Sequence, residues 1–389
     1  MALELLNFLN TWEQRKLIDE IELFGGLTYS PKDVVPSPGS LVLRSSNVKD
    51  GEISLEDSVY VLKGKATSTP VQLNDIIVVV RNGSRSLIGK HAIVKTPLDN
   101  AVIGAFMTGI RTKQPDFISV LMDSQAFKKA ITENLGATIN QITGGMLKQM
   151  VFLMPTSETE KTAIGNFFRT LDDAISLHQK KLEHFKKLKE SLLQNMFPRE
   201  GEIFPRLRFP EFADAWEQRK LIDEIELFGG LTYSPKDVVP SPGSLVLRSS
   251  NVKDGEISLE DSVYVLKGKA TSTPVQLNDI IVVVRNGSRS LIGKHAIVKT
   301  PLDNAVIGAF MTGIRTKQPD FISVLMDSQA FKKAITENLG ATINQITGGM
   351  LKQMVFLMPT SETEKTAIGN FFRTLDDAIS LHQRELPHH

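Results

Sequence analysis

The chain contains no cysteine. Disulfide bonds and thiolate metal sites are therefore excluded, and the reducing cytoplasm is the expected compartment. No apolar run approaches the ~18 residues that a membrane-spanning helix needs, so no membrane partner is expected. The seven histidines show no metal-ligand spacing, and the net charge is only +1. A nucleic-acid-binding function would therefore require basic residues that are concentrated locally.

Motifs that carry catalytic chemistry are also missing from the sequence. It has no Asn-Pro-Pro-aromatic or Asp-Pro-Pro-aromatic motif for methyl transfer to an amino group. It has no Gly-x-Gly-x-x-Gly loop, no phosphate-binding P-loop and no Glu-x-Lys element of a metal-dependent nuclease. We therefore expect a binding protein rather than an enzyme, with no cofactor held by this chain.

The most prominent feature is an internal repeat, because residues 12–179 recur with identical sequence as residues 216–383. A period this long indicates a duplicated domain, since the units of solenoid repeats are about 20–50 residues long. Complete identity indicates a very recent or a deliberate duplication. Two identical binding surfaces are therefore expected on one chain.

Each copy begins with a region of short β-type runs separated by turn signals. The clearest run, residues 75–81, is rich in β-branched residues and ends at the turn pair Asn82-Gly83. A helix is expected to begin near Ser124 and to end before Gly136. The predicted class is α/β (α+β), with two globular domains separated by long antiparallel coiled-coil helices.

A helical pattern follows each globular region. From residue 157 to residue 196, apolar residues recur at alternating steps of three and four, which is typical of a coiled coil. A helix of about 38 residues would span roughly 57 Å, which suits a spacer. The predicted seam residues are Ile164, Phe168, Leu171, Ile175, Leu182, Phe185 and Leu192 in the first copy, and Ile368, Phe372, Leu375 and Ile379 in the second.

The second helix ends near residue 383 and is therefore shorter than the first. If the helices run antiparallel, the shorter one covers about half of the seam. We expect Leu182, Phe185, Leu192 and Met196 to be left without a partner. Ordinary intramolecular packing, the apolar residues 3–9, or self-association through this unpaired helix half would each cover them.

Four kinds of stretch carry a resemblance to a known family. They are Trp12-Glu13-Gln14-Arg15-Lys16-Leu17, repeated from Trp216; Leu73-Asn74-Asp75-Ile76-Ile77-Val78 followed by Ile88-Gly89-Lys90; the passage from Leu147 to Glu160; and the helix from Leu171 to Pro198. Together they resemble the DNA-specificity subunit of type I restriction–modification enzymes. The resemblance covers nearly the whole chain, although the second helix lacks counterparts of residues 181–198.

The resemblance implies a division of the chain and a set of partners. The implied parts are a target-recognition domain (residues 12–155), a spacer helix (156–198), a linker (199–215), a second target-recognition domain (216–359), a shortened distal helix (360–384) and a tag remnant (385–389). It implies that the subunit catalyses nothing and binds double-stranded DNA. It also implies that two modification (methyltransferase) subunits, which hold S-adenosylmethionine, and restriction subunits dock on this subunit.

Polar loops next to strands are the candidate DNA contacts. Arginine fits the guanine O6 and N7 atoms with two hydrogen bonds, and asparagine fits adenine N6 and N7 in the same way. The candidates are Arg44, Ser46, Asn47, Arg81, Asn82, Ser84, Arg85, Arg111 and Lys113, and their second-copy counterparts Arg248, Ser250, Asn251, Arg285, Asn286, Ser288, Arg289, Arg315 and Lys317. Gln141 is a weaker candidate.

Two functional hypotheses follow. In the first, the chain reads a bipartite, gapped DNA site, which is an inverted repeat because identical domains related by a twofold axis read identical half-sites. In the second, the chain is a coiled-coil scaffold that carries two identical protein-binding domains. The helices and the repeat fit both, and the family motifs and the Arg- and Asn-bearing loops favour DNA.

Overall fold

A computed structural model describes residues 12–135, 140–339 and 344–385. It divides the chain into two compact units, Met1–Ser176 and Leu177–His389. The apolar residues 3–9, Gly136 and the terminal histidines, which entered the sequence predictions, lie outside the described residues. Among those described, no helix has both the length and the apolar character that a bilayer crossing requires.

In the described residues of the first copy, twelve strands and three short α-helices precede the long helix. The strands are β1 (Trp12–Lys16), β2 (Glu22–Gly25), β3 (Val34–Val35), β4 (Ser40–Leu43), β5 (Val48–Lys49), β6 (Glu52–Ile53), β7 (Val59–Val61), β8 (Ile76–Val79), β9 (His91–Ile93), β10 (Ala101–Ile103), β11 (Met107–Arg111) and β12 (Val151–Pro155). The helices are α1 (Pro115–Asp123), α2 (Gln125–Asn134), α3 (Gly144–Gln149) and the long α4 (Glu158–Asn195). The predicted α/β (α+β) class is confirmed.

The second copy repeats this order within unit 2. Its elements are β13 (Glu217–Lys220), β14 (Glu226–Gly229), β15 (Val238–Val239), β16 (Ser244–Leu247), β17 (Val252–Lys253), β18 (Glu256–Ile257), β19 (Val263–Val265), β20 (Ile280–Val283), β21 (His295–Ile297), β22 (Ala305–Ile307), β23 (Met311–Arg315), α5 (Pro319–Asp327), α6 (Gln329–Asn338), α7 (Gly348–Gln353), β24 (Val355–Met358) and α8 (Glu362–Glu385).

Two four-stranded sheets form the centre of each domain. In the first copy, one sheet has the antiparallel order β2-β11-β8-β9, and the other has the order β10-β4-β7-β3 with β10 parallel to β4. Ile76 and Val78 of β8 pack with α1 and α2, whereas Ile77 and Val79 pack against the second sheet. Both faces of β8 are therefore buried, which explains why its sequence is a continuous apolar run.

The domain is closed by its own ends, because β1 pairs antiparallel with β12, the last strand before α4. Ser157 directly precedes α4, and its hydroxyl accepts a hydrogen bond from the Glu160 backbone N–H at 3.3 Å. One turn later, the Lys161 side chain is completely buried, and its Nζ lies 2.7 Å from a carboxylate oxygen of Glu20 and of Glu158. This buried cation fixes the first turn of α4 to the domain that precedes it.

The second half of α4 belongs to unit 2, where it runs antiparallel to α8 as predicted. His178 Nδ1 lies 3.1 Å from His382 Nδ1, and Lys189 Nζ lies 2.7 Å from Asp376 Oδ1, so the partner number falls as the number along α4 rises. Burial alone would lower the pKa of Lys189, but the carboxylates of Asp327 and Asp376 raise it above its ordinary value. Lys189 of α4 is therefore a paired cation, held by Asp376 of α8 and by Asp327 at the end of α5.

The prediction about which half of the seam lacks a partner was wrong. Met196 is buried in the core of unit 2 with Leu192 packed against that core, and the Phe185 ring stacks on His382 at 5.6 Å. The antiparallel direction explains the difference, because the first half of α8 lies against the second half of α4. The exposed seam residues are instead Phe168 and Leu171, in the first half of α4.

One glycine in each long helix allows a close approach to the short helix beside it. A Cβ atom at Gly165 would lie 2.8 Å from the Phe117 backbone nitrogen of α1, and a Cβ at Gly369 would lie 2.8 Å from the Phe321 nitrogen of α5. Such distances are shorter than van der Waals contact, and the nearest atoms include backbone atoms that cannot easily move aside. The close packing of the two helices therefore requires glycine at the position where the long helix crosses the short one.

We expect Gly165→Ala and Gly369→Ala each to lower the free energy of unfolding of its own unit by about 1–3 kcal/mol, because the added methyl group forces the packed helices apart. Urea unfolding followed by circular dichroism measures the change. Gly64→Ala is the control, since a Cβ there meets nothing within 4 Å and stability should stay within about 0.5 kcal/mol. Unchanged unfolding of both helix variants would contradict this packing.

Candidate nucleic-acid interface

The end of β8 carries an exposed arginine on an exposed aromatic ring. The guanidinium carbon of Arg81 lies 5.0 Å from the centre of the Phe106 ring, and the Arg81 backbone forms an isolated bridge with Gln141. Within the part of the chain that the structure describes, Arg81 forms no salt bridge. A cation held over a ring and facing solvent keeps hydrogen-bond donors available to a ligand.

Asn82 joins two of the candidate loops. Its Nδ2 donates a hydrogen bond to Ser45 Oγ at 3.2 Å, and its Oδ1 accepts one from the Ser84 backbone N–H at 3.0 Å. The Asn140 side chain donates to the Gly83 carbonyl oxygen at 3.0 Å. The loops that contain Ser45, Asn82 and Asn140 therefore form one continuous patch.

Arg85 lies in the same patch but is directed towards α2. Its Nη2 donates a hydrogen bond to the Leu135 carbonyl oxygen at 3.2 Å, while Ser84 and Ser86 share a hydrogen bond of 2.9 Å beside it. Its side chain is exposed. We call the patch formed by Arg81, Asn82, Ser84, Arg85 and Phe106 the Arg81 surface.

Two predicted contacts of the neighbouring loop have structural partners. Arg44 Nη2 lies 2.9 Å from Asp57 Oδ2, and Ser46 is half-buried. Asn47 is completely buried, where its Oδ1 accepts a hydrogen bond from the Arg44 backbone N–H and its Nδ2 donates to the Ser54 carbonyl oxygen. This placement does not fit a DNA contact for Asn47, because its amide group already holds the loop together.

The structure places Arg111 and Lys113 away from the Arg81 surface. Phe106 precedes β11 at one end, whereas Arg111 is its last residue, about 17 Å further along at roughly 3.3 Å per residue. Arg111 forms two hydrogen bonds of 2.8 Å with the buried carboxylate of Asp75. The hydrogen bond with Asp75 raises the pKa of Arg111. Its guanidinium therefore stabilises the fold.

The second copy reproduces each of these arrangements inside unit 2. Arg285 lies 5.0 Å from the centre of the Phe310 ring, Asn286 donates to Ser249 at 3.1 Å, and Arg289 donates to the Leu339 carbonyl oxygen at 3.2 Å. The other counterparts keep the same roles: Arg248 with Asp261, Ser250 half-buried, Asn251 buried, Ser288 beside Ser290, Arg315 with Asp279, and Lys317 exposed. The chain therefore carries the Arg81 surface twice.

Sequence reasoning missed the aromatic part of this surface. Phe106 is 52% exposed, and it stands between two strand-forming runs in a position that the sequence alone does not distinguish from a core position. An available signal was its place directly after the small residues Gly104 and Ala105, which indicates a tight connection between strands. In the described part of the chain, no three His, Asp or Glu side chains form a cluster that could hold a metal ion.

Comparison with known proteins finds two specificity subunits of type I restriction enzymes with similar sequences. The chain is 21% identical over 362 residues to the type I restriction enzyme EcoKI specificity subunit of Escherichia coli. The aligned region covers 86% of this chain and 74% of that protein. The chain is 23% identical over 284 residues to the StySPI specificity subunit of Salmonella potsdam, spanning 70% of this chain and 59% of that protein. The chain is similar to type I specificity subunits. No protein-family model matches the sequence.

A solved structure extends the similarity to the fold of specificity subunits. The S subunit of the type I restriction–modification system from M. genitalium superimposes with a TM-score of 0.66 at 12% identity, and the match covers 98% of this chain and 93% of that one. At this identity the comparison concerns the fold alone. Two sheet-rich domains and long helices are thus shared with a specificity subunit.

We expect replacing both Arg81 and Arg285 with alanine to relax base preference at one symmetric position of a bound site, at roughly 1–3 kcal/mol per lost bidentate contact. Selection of binding sites from a random DNA pool measures this preference. The contrasting pair Arg111→Ala and Arg315→Ala should lower stability instead, by about 2–3 kcal/mol each, because a buried carboxylate loses its partner. Unaltered base preference in the first variant would remove Arg81 from the interface.

Proposed function

We propose that the chain is the DNA-specificity subunit of a type I restriction–modification system and that the two Arg81 surfaces each read one half of a gapped site. The observation that carries the proposal is an exposed arginine on an exposed ring, beside an asparagine loop, present twice. Arginine and asparagine are the side chains that best distinguish guanine and adenine in the major groove. The similarity to specificity subunits supports the same function.

Identical surfaces prefer identical base sequences, so the two half-sites should be the same. The twofold relation that the family resemblance implies makes them an inverted repeat on opposite strands. Exposed lysines such as Lys90 and Lys148 would contact phosphates, which position a protein without reading bases. We infer a target of two equal halves separated by a fixed spacer of unread base pairs.

The partners and the chemistry belong to other subunits in this proposal. Two modification subunits would supply S-adenosylmethionine and the methyl transfer, and restriction subunits would supply cleavage, while this chain catalyses neither. The absence of catalytic motifs from the sequence supports this division. A cysteine-free chain is compatible with the cytoplasm, where such an enzyme would meet DNA.

We expect co-expression with a cognate modification subunit to methylate adenines in a gapped, self-complementary motif. Single-molecule sequencing of the host DNA maps the modified positions. The chain with Arg81 and Arg285 both replaced is the matched control and should give a relaxed motif of the same spacing. A methylated motif with two different halves would contradict the assignment of one specificity to both surfaces.

DNA affinity should fall steeply with salt, because phosphate contacts release condensed counterions. With about six phosphate contacts, the affinity should fall by roughly a thousand-fold between about 50 and 200 mM salt. Fluorescence anisotropy with a labelled duplex measures it. An affinity that does not change over this range would favour the alternative function, a scaffold with two protein-binding domains.

A further inference from the structure

Two identical sequences have different surroundings at the start of the long helices. Trp12 is 43% exposed but its counterpart Trp216 is 2% exposed, and Phe168 is 40% exposed while Phe372 is completely buried. Leu171 is exposed and Leu375 is buried. Because the sequences are the same, the difference is due to what packs on them. The second copy thus shows which segment can cover these side chains.

In unit 2, the cover is the end of α4 and the chain that follows it. Phe197 packs edge-on against Trp216 with ring centres 5.6 Å apart, and Phe209 packs edge-on against Phe371 at 5.9 Å. Met196 lies in the same apolar core. We call residues 196–209 the cap segment.

The cap segment also supplies a cation to a buried carboxylate. Arg208 donates to both oxygens of Glu364, from Nε to Oε1 at 2.7 Å and from Nη2 to Oε2 at 2.8 Å. Trp216 Nε1 donates to the same carboxylate at 3.2 Å. A bidentate pair of this kind is among the stronger hydrogen-bonding arrangements in proteins, and it fixes orientation.

The counterpart in unit 1 has one half of this arrangement. Glu160 is buried, and its Oε1 accepts a hydrogen bond from Trp12 Nε1 at 2.9 Å. Its Oε2 is also buried and, among the residues that the structure describes, has no hydrogen-bond partner. A buried carboxylate oxygen without a donor is unfavourable. Together with Glu160, the exposed Trp12, Phe168 and Leu171 form what we call the open face.

We propose that the open face of unit 1 is a docking site for a segment of another polypeptide with the chemistry of the cap segment: an apolar helix end, then an arginine directly before an aromatic residue. The arginine would pair with Glu160, and the aromatic residues would cover Trp12 and contact Phe167, as Phe209 contacts Phe371. Both the charge and the apolar side chains of the open face match this occupant, because the identical face in unit 2 binds it.

The chain's own segments fit this role less well. Residues 1–11 contain neither arginine nor lysine, so they offer no side-chain cation for Glu160. The cap segment of a second copy is engaged with its own unit 2, and its transfer would expose one face in order to cover an identical one. Such an exchange gains no net burial. A separate partner chain is therefore the occupant that the structure favours.

The test uses a synthetic peptide of residues 192–214 added to the full chain in which Trp216→Phe leaves Trp12 as the single tryptophan. Binding should shift Trp12 emission to shorter wavelength in a saturable manner, as Trp12 leaves water. Calorimetry on the unaltered chain gives the affinity without a fluorescence variant. No saturable signal by either method up to about 1 mM peptide would overturn the proposal.

A double-mutant comparison identifies the charge pair. Glu160→Gln in the chain and Arg208→Ala in the peptide should each weaken binding about ten-fold or more, and both together little more than either alone. Glu364→Gln is the matched control and should leave the peptide affinity unchanged. A response to Glu364→Gln instead of Glu160→Gln would show displacement in unit 2 and overturn the assignment.

Sedimentation of the chain alone tests the choice of occupant. A monomer with exposed Trp12 agrees with a separate partner. A dimer in which Trp12 is buried, and which Glu160→Gln dissociates, would show that a second copy occupies the open face and would overturn the commitment to another polypeptide. Neither outcome depends on DNA binding, so failure here is distinguishable from failure of the proposed function.

Discussion

The architecture of each copy depends on one buried cation at the point where the domain meets its helix. Lys161 reaches Glu20 in the domain and Glu158 in the helix, and Lys365 does the same with Glu224 and Glu362. A buried lysine without carboxylates would be strongly unfavourable, so the pairing tolerates little displacement. The helix therefore leaves the domain in one direction. The Arg81 surface, which follows the last residue of β8 in the same domain, keeps a defined position relative to the start of the helix.

The sequence predicted those features that depend on local pattern. The buried β8 run, the long helix and the antiparallel direction follow from apolar periodicity and chain order, and the structure has them. It could not predict that Asn47 caps its own loop or that Arg111 binds Asp75, because both partners are set by tertiary contacts. Arg81 and Arg111 look alike in the sequence, and only the tertiary structure shows that Arg81 lies beside the start of β11 whereas Arg111 ends that strand.

The duplication separates sequence from environment. Phe168 and Phe372 have the same neighbours in sequence, yet one is exposed and the other is in a core. Hydrophobic periodicity predicts that such a residue is buried, but it does not identify the chain segment that packs against the residue. Here the direction of α8 decides the matter, since the shorter helix reaches the end of α4 and the residues that follow it. Whether an apolar residue of these helices is buried thus depends on the segment that packs against it as well as on its own side chain.

The two Arg81 surfaces also have a statistical consequence for binding. A protein with two different surfaces fits an asymmetric target in one orientation only. With two equal surfaces and an inverted-repeat target, each surface fits either half-site, so the chain can bind in two orientations. Two equivalent orientations lower the binding free energy by about 0.4 kcal/mol through entropy alone. Base recognition by the two surfaces therefore assigns no direction along the duplex, and a direction for assembly comes from features that the two units do not share, such as the open face of unit 1.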